Sequence, residues 1–249
     1  MIQQPISGAG YLLQGLRLMI RPGLRRFVAI PLAINITVFL LLIWFAAGQF
    51  GVLMDSITPE LPDWLAWLEW LLWAVFAVAA VVLVFFTFSI IANFIAAPFN
   101  GLLAEAVERH LTGRGAPAGG SVLKMLKQIP ADLLDELKKL GYYILWAIPL
   151  LILFLVPVIN LIAPVLWALF SAWMLAIEYS DYPLGNHGVR SAQLRQTLRE
   201  RRWLSLGFGG ATLVGTMIPV VNFVVMPAAV AGATAMWVGE KRLGHDKTE

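Results

Sequence analysis

The stretch VPVINLIAP, Val156 to Pro164, is nearly repeated as IPVVNFVVMP, Ile218 to Pro227. Both place Pro-Val-(Ile/Val)-Asn at the centre of a long apolar run, with a second proline seven or eight residues after the first. Each run, 142–177 and 203–238, covers about 36 residues, or roughly 54 Å as one straight helix, against a bilayer core of about 30 Å. Broken at the proline, each half measures roughly 22–27 Å, enough to reach deep and too little to cross comfortably.

Working outward, two more apolar blocks precede these. Residues 27–54 form a stretch long enough to span with some tilt. Residues 64–99 form another, interrupted only by Glu69 and opening with Trp64, Trp67, Trp70 and Trp73, residues suited to the headgroup level. Hydrophobic residues make up 59% of the chain, charged residues 13%, and mean hydropathy is +0.78. A soluble domain sits near half apolar and a quarter charged, so this composition predicts an integral membrane protein. Residues 1–26 show no apolar run leading to a small-residue cleavage site. With no cysteine there are no disulfides, thiolate metal sites or cysteine nucleophiles. The net charge of +3 fits basic loops facing anionic lipid or anionic solutes, and no basic–aromatic surface suited to nucleic acid stands out.

All 18 Lys and Arg lie within 17–26, 109–139, 190–202 and 241–247, while Asp55 to Glu69 carries four carboxylates and no basic residue. The positive-inside rule then puts both termini and the basic loops in the cytoplasm, and 55–63 outside. Blocks three and four must leave and return on one side. Their tips carry no charge, so each is read as a re-entrant helical hairpin turning at Pro157–Asn160 and Pro219–Asn222; six short spans would satisfy the same sidedness. A turn at membrane depth must be buried in protein or line water. The Asn160 and Asn222 amides are expected to serve the freed backbone, and paired irregular elements are also where transporters place solute sites. One copy has little protein with which to cover two such turns, which predicts a homo-oligomer. The expected fold is all-α: a helix near 8–20 lying at the interface, spanning helices at 27–54 and 64–112, a cytoplasmic helical segment at 113–141, hairpins at 142–178 and 203–238, a cytoplasmic segment at 179–202 between them, and a tail at 239–249.

Three polar segments carry the candidate chemistry. In RPGLRRFVAIP, Arg21 to Pro31, Pro22 stops one helix, Gly23 permits a turn, and Arg25 and Arg26 begin the next. The first turn of a helix already favours negative charge. Backbone N–H groups of Gly23 and Leu24 with two guanidinium forks would hold a tetrahedral oxyanion; the same arginines would equally meet lipid phosphate. In ANFIAAPFNGLLAEAVERHL, Ala92 to Leu111, Asn93 and Asn100 share a helical face with Ala97 and Ala104, and Glu105 and Arg109 form an i,i+4 pair with Glu108 beside it. These residues read either as a narrow wet path with a charged inner mouth or as helix packing and a solvated extension. In EYSDYPLGNHG, Glu178 to Gly188, Asp181 with His187 would be an acid–base pair and Asn186 an oxyanion donor, but such composition ordinarily marks a turn. The histidines are scattered, and no hydrolase, zinc-protease or nucleotide-binding motif occurs, so no cofactor or metal is expected and an enzyme is disfavoured.

GLRLMIRPGLRRFVAIPLAIN (15–35), ANFIAAPFNGLLAEAVE (92–108) and YSDYPLGNH (179–187) together resemble the CysZ-type bacterial sulfate permease family, along nearly the whole chain. The resemblance implies sulfate uptake across the inner membrane for sulfate assimilation and cysteine biosynthesis. It implies two long spanning helices, two half-inserted hairpins and multimeric assembly. The family's sulfate-coordinating Gly-Leu-Arg element falls on Gly23, Leu24 and Arg25, with Arg26 beside it. Asn93, Asn100, Glu105, Glu108, Arg109, Asn160 and Asn222 are then candidates for the sulfate pathway. A membrane scaffold or lipid-binding protein is the alternative reading.

Overall fold

The structure is a computed structural model that describes residues 3–57, 64, 66–113 and 122–245, with some side chains inside these helices, Asn93 among them, outside the description. Every regular element among the described residues is helical: α1 (Gln3–Met19), α2 (Arg26–Ile57), α3 (Ala66–Thr112), α4 (Val122–Leu155), a 3-10 turn (Ile159–Leu161), α5 (Ala163–Gly185), α6 (Ser191–Glu200), α7 (Arg202–Met217) and α8 (Pro219–His245). The chain forms two compact units, residues 27–99 and residues 1–26 with 100–249.

In the first unit, α2 and the N-terminal part of α3 lie antiparallel. Phe39 stacks on Phe88 with centroids 4.8 Å apart, and Ala46 and Ala47 share a groove with Ala77 and Ala80. Trp44, Trp64, Trp67 and Trp70 are exposed, as are most apolar side chains of α2. Such a surface belongs in lipid or against another apolar surface. The segment expected outside the membrane, 55–63, lies mostly beyond the described residues.

The second unit contains two antiparallel helical hairpins. In hairpin 1, Phe154 meets Trp167, Tyr143 meets Phe170, Trp173 Nε1 donates to the Tyr142 hydroxyl at 3.2 Å, and Lys139 bonds Asp181 at 3.0 Å. Contacts advancing along one helix while receding along the other define α4 and α5 as the two limbs. α4 passes uninterrupted through the expected boundary at 141–142. The break between the limbs begins at Val156, just before Pro157, and Val158 takes φ +73°, a strained value for a β-branched residue. Main-chain bonds close this turn, from Asn160 N–H to Val156 C=O at 3.0 Å and from Ile162 N–H to Ile159 C=O at 3.0 Å. The Asn160 carboxamide, expected to serve the freed backbone, is exposed instead.

Hairpin 2 pairs α7 with α8: Arg201 bonds Glu240 at 3.2 Å, and Phe208 and Gly215 pack against Gly232 and Val225. Its turn differs from the expectation at Pro219–Asn222. The break is the single extended residue Ile218 (φ −95°, ψ 111°), and Pro219 already opens α8. Proline drives the residue before it out of the helical region and is itself well suited to the first helical position. Asn222 therefore sits in the first turn of α8, its N–H bonded to Ile218 C=O at 2.8 Å.

α1, expected to lie along the interface, packs against hairpin 2. Gly8 abuts the backbone of α7 and Gly15 that of α8, so closely that a Cβ at Gly15 would lie 1.9 Å from Ala228 O. Gly209 meets Ala172 of α5 in the same way. Small residues let backbones approach where apolar burial alone distinguishes little between protein and lipid. Tyr11 packs beside Gly239, and burial, together with the Glu240 carboxylate, raises its hydroxyl pKa.

Candidate functional site

α1 ends at Met19, and a turn carries the chain into α2 at Arg26. Gly23 makes that turn possible with φ +89°, where a Cβ is disfavoured although space is open around it. Leu24 N–H and Arg25 N–H both donate to Arg21 C=O at 3.1 Å, and the Leu24 side chain is buried. This corrects the expected role of Leu24: its N–H is spent inside the turn, and its side chain anchors the loop. Arg25 and Arg26 are exposed at the N-terminus of α2. Arg21 Nη1 donates to His110 Nε2 at 3.1 Å, tying the turn to the end of α3. Arg21 had no assigned partner in the sequence, because the contact joins residues 89 positions apart.

The α3 end is joined in turn to α5 and the loop after it. Asn100, buried, donates to the Tyr182 hydroxyl at 3.3 Å, and Asn186 Nδ2 donates to Gly101 C=O at 2.9 Å. Glu105 and Arg109 form the expected ion pair. Glu108 is buried and accepts from His187 Nε2, 2.8 Å from both carboxylate oxygens. Asp181 pairs instead with Lys139, a buried ammonium that also reaches Glu136 at 2.9 Å and Glu178 at 3.3 Å. Asp181, Asn186 and His187 thus have three different partners and do not form a catalytic set. The segment 178–185 is also helical, the last two turns of α5, where a turn was expected. Pro183 is tolerated there beside the helix end, which Asn186 and Gly188 close.

The seven pathway candidates therefore separate. Asn100, Glu105, Glu108 and Arg109 gather around the end of α3, whereas Asn160 lies in the turn of hairpin 1 and Asn222 in the first helical turn of α8. Asn160 precedes the start of α5 and Tyr182 lies near its end, which places Asn100 and Asn160 about 30 Å apart along the helix axis. The Asn93 side chain lies outside the described residues. Lys139 and Arg195 were not singled out in the sequence. Arg195 lies over the Tyr142 ring at 4.8 Å; both residues sit in charged or polar stretches of sequence, where nothing distinguishes them from solvated side chains.

Long apolar helices, hairpins broken by proline and an arginine-bearing turn at the foot of a spanning-length helix define an all-helical membrane protein.

The chain belongs to the family described as sulfate transporter CysZ/etoposide-induced protein 2.4, whose profile matches residues 11–227. It is 53% identical over 236 residues to a sulfate transporter CysZ of Pseudomonas fluorescens, covering 95% of each chain. Its identity to the protein of that name from Salmonella typhimurium is 49% over 242 residues, 97% of this chain and 95% of the other. Against the one from Pseudomonas paraeruginosa it is 48% over 241 residues, 96% and 98% of the two chains.

Proposed function

We propose that this chain carries sulfate across the bacterial inner membrane and so supplies sulfate assimilation into cysteine. The observation that carries the reading is its likeness, end to end, to relatives that bear the sulfate transporter name. In this reading Gly23 N–H with the Arg25 and Arg26 guanidinium groups captures the dianion, and Leu24 holds the loop. Two cations at the positive end of a helix dipole favour a negative partner, and guanidinium forks match sulfate oxygens. Asn93, Asn100, Glu105, Glu108, Arg109, Asn160 and Asn222 are the proposed pathway residues. Asn100 and Glu108 are already hydrogen-bonded, so their part in transport requires an exchange of partners.

Both termini are placed in the cytoplasm by the distribution of basic residues. The hairpins are proposed to be re-entrant. Limb α5 is of spanning length as a whole, but the charged cluster of Lys139, Glu136, Glu178 and Asp181 marks where hairpin 1 meets water. From Leu140 to Leu155 the uncharged limb rises about 24 Å, short of a core of about 30 Å. Leu155, Val158 and Leu161 at the tip are 82%, 78% and 80% exposed, which suits lipid or a neighbouring copy in a homo-oligomer. Proteoliposomes bearing the full chain should accumulate radiolabelled sulfate above protein-free vesicles. Uptake equal to that of protein-free vesicles would instead favour a scaffold or lipid-binding role.

A further inference from the structure

We propose that a cavity between α5, α6, α7 and α8 binds a small carboxylate with a short apolar tail. The cavity measures about 260 Å³. A water molecule takes a share of about 30 Å³, and sites for drug-sized ligands begin near 300 Å³, so the occupant has few heavy atoms. Most of its wall is apolar, with Leu184, Leu204 and Met236 facing it.

Two polar groups in that wall are unspent. Ser180 is 1% exposed, and its hydroxyl has no hydrogen-bond partner; the Trp237 indole Nε1–H is likewise buried and unpaired. Elsewhere in these helices hydroxyls are satisfied by a carbonyl one turn back, as Thr212 is by Phe208 at 2.9 Å and Thr234 by Val230 at 2.8 Å. Two other hydroxyls lining the same cavity are also satisfied, Thr197 by Gln193 C=O and Ser205 by Leu198 C=O. Leaving buried donors unpaired is costly, and an indole N–H can only donate. The indole N–H asks for an acceptor, and the Ser180 hydroxyl, which can donate or accept, is free to donate to the same one.

The rim sets the charge of that acceptor. Arg201 and Glu240 neutralise each other at 3.2 Å, and the Lys241 ammonium lies 4.2 Å over the Trp237 ring. Glu200, exposed at the mouth, balances Lys241 overall. A cation beside the donors with no net charge on the rim suits a monoanion or a zwitterion and disfavours a dianion such as sulfate. Trp237 also neighbours His187, ring centroids 6.2 Å apart, and His187 holds Glu108. An occupant would thus sit two contacts from the polar cluster at the end of α3.

The test uses full-length protein in detergent micelles, labelled with ¹⁵N-tryptophan and observed through the Trp237 indole N–H resonance, assigned with Trp237→Phe. Isovalerate and leucine share a carboxylate and a branched tail, one as a monoanion and the other as a zwitterion. At least one should shift the Trp237 signal saturably, and which one does so identifies the class. Isopentanol, which has the tail alone, and sulfate should leave it in place. Ser180→Ala removes a hydroxyl that has no partner, so it should fold normally and weaken the carboxylate about tenfold. The proposal fails if neither carboxylate moves the signal, if isopentanol or sulfate moves it equally, or if Ser180→Ala binds as tightly as the natural chain. None of these readouts depends on sulfate transport.

Discussion

His187 Nε2 sits 2.8 Å from both carboxylate oxygens of Glu108, linking the loop after α5 to the buried face of the α3 end. Glu108 is 7% exposed. Removing the acceptor leaves the part-buried His187 donor without this partner, a loss of about 1 kcal/mol. Glu108→Ala should therefore lower the unfolding temperature in detergent, and Glu108→Gln, which keeps an acceptor, should lower it less. Equal melting of Glu108→Ala and the natural chain would show that this pair does not hold α3 in place.

Lys139 bonds Glu136, Glu178 and Asp181 together, and its side chain is 9% exposed. Lys139→Met strips three carboxylates of their common partner; because these are themselves part-exposed, the loss should be about 1–3 kcal/mol, below that of a fully buried pair. Combining it with Asp181→Asn should recover part of that loss. Denaturant titration followed by tryptophan fluorescence reads both variants, and additive losses would argue against a shared network.

The close approach of α1 to hairpin 2 gives a contrast between two glycines of one helix. A Cβ at Gly15 meets Ala228 O at 1.9 Å, while one at Gly10 meets nothing within 4 Å. Gly15→Ala should force the helices apart and lose about 1–3 kcal/mol or more. Gly10→Ala should gain up to about 1 kcal/mol from helix propensity. Similar thermal stability for both variants would contradict the packing of α1 described above.

The hairpins were legible because proline acts through local geometry. Pro157 and Pro219 each sit at a break, and the breaks fall within or beside the expected residues, whereas Pro31, Pro98, Pro183 and Pro227 are accommodated inside helices. The details were not legible where neighbours decide. Pro219 could end one helix or begin the next, and the following turn let it begin α8. Gly8 and Gly15 look like flexible positions in a short amphipathic helix, yet they exist for contact with α7 and α8. Gly23, Arg25 and Arg26 were readable as a candidate site because they lie together in sequence. Arg21 with His110, and Glu108 with His187, were not, because each pair is assembled by the fold across about 80–90 residues.

The depth of the hairpin tips can be read chemically, since the chain contains no cysteine and each single-cysteine variant carries one thiol. Asn160→Cys and Asn222→Cys should resist a membrane-impermeant maleimide added outside intact cells, while Glu60→Cys should react. Rapid external labelling at 160 or 222 would replace re-entrant hairpins with full spans.

Sulfate affinity of purified protein, measured by scintillation proximity with radiolabelled sulfate, tests the arginine turn most directly. Arg25→Ala combined with Arg26→Ala removes two charge-assisted donors, and affinity should fall by tenfold or more, while Arg17→Ala, on α1, should bind as the natural chain does. Undiminished sulfate binding by the double variant would contradict capture at Gly23, Arg25 and Arg26.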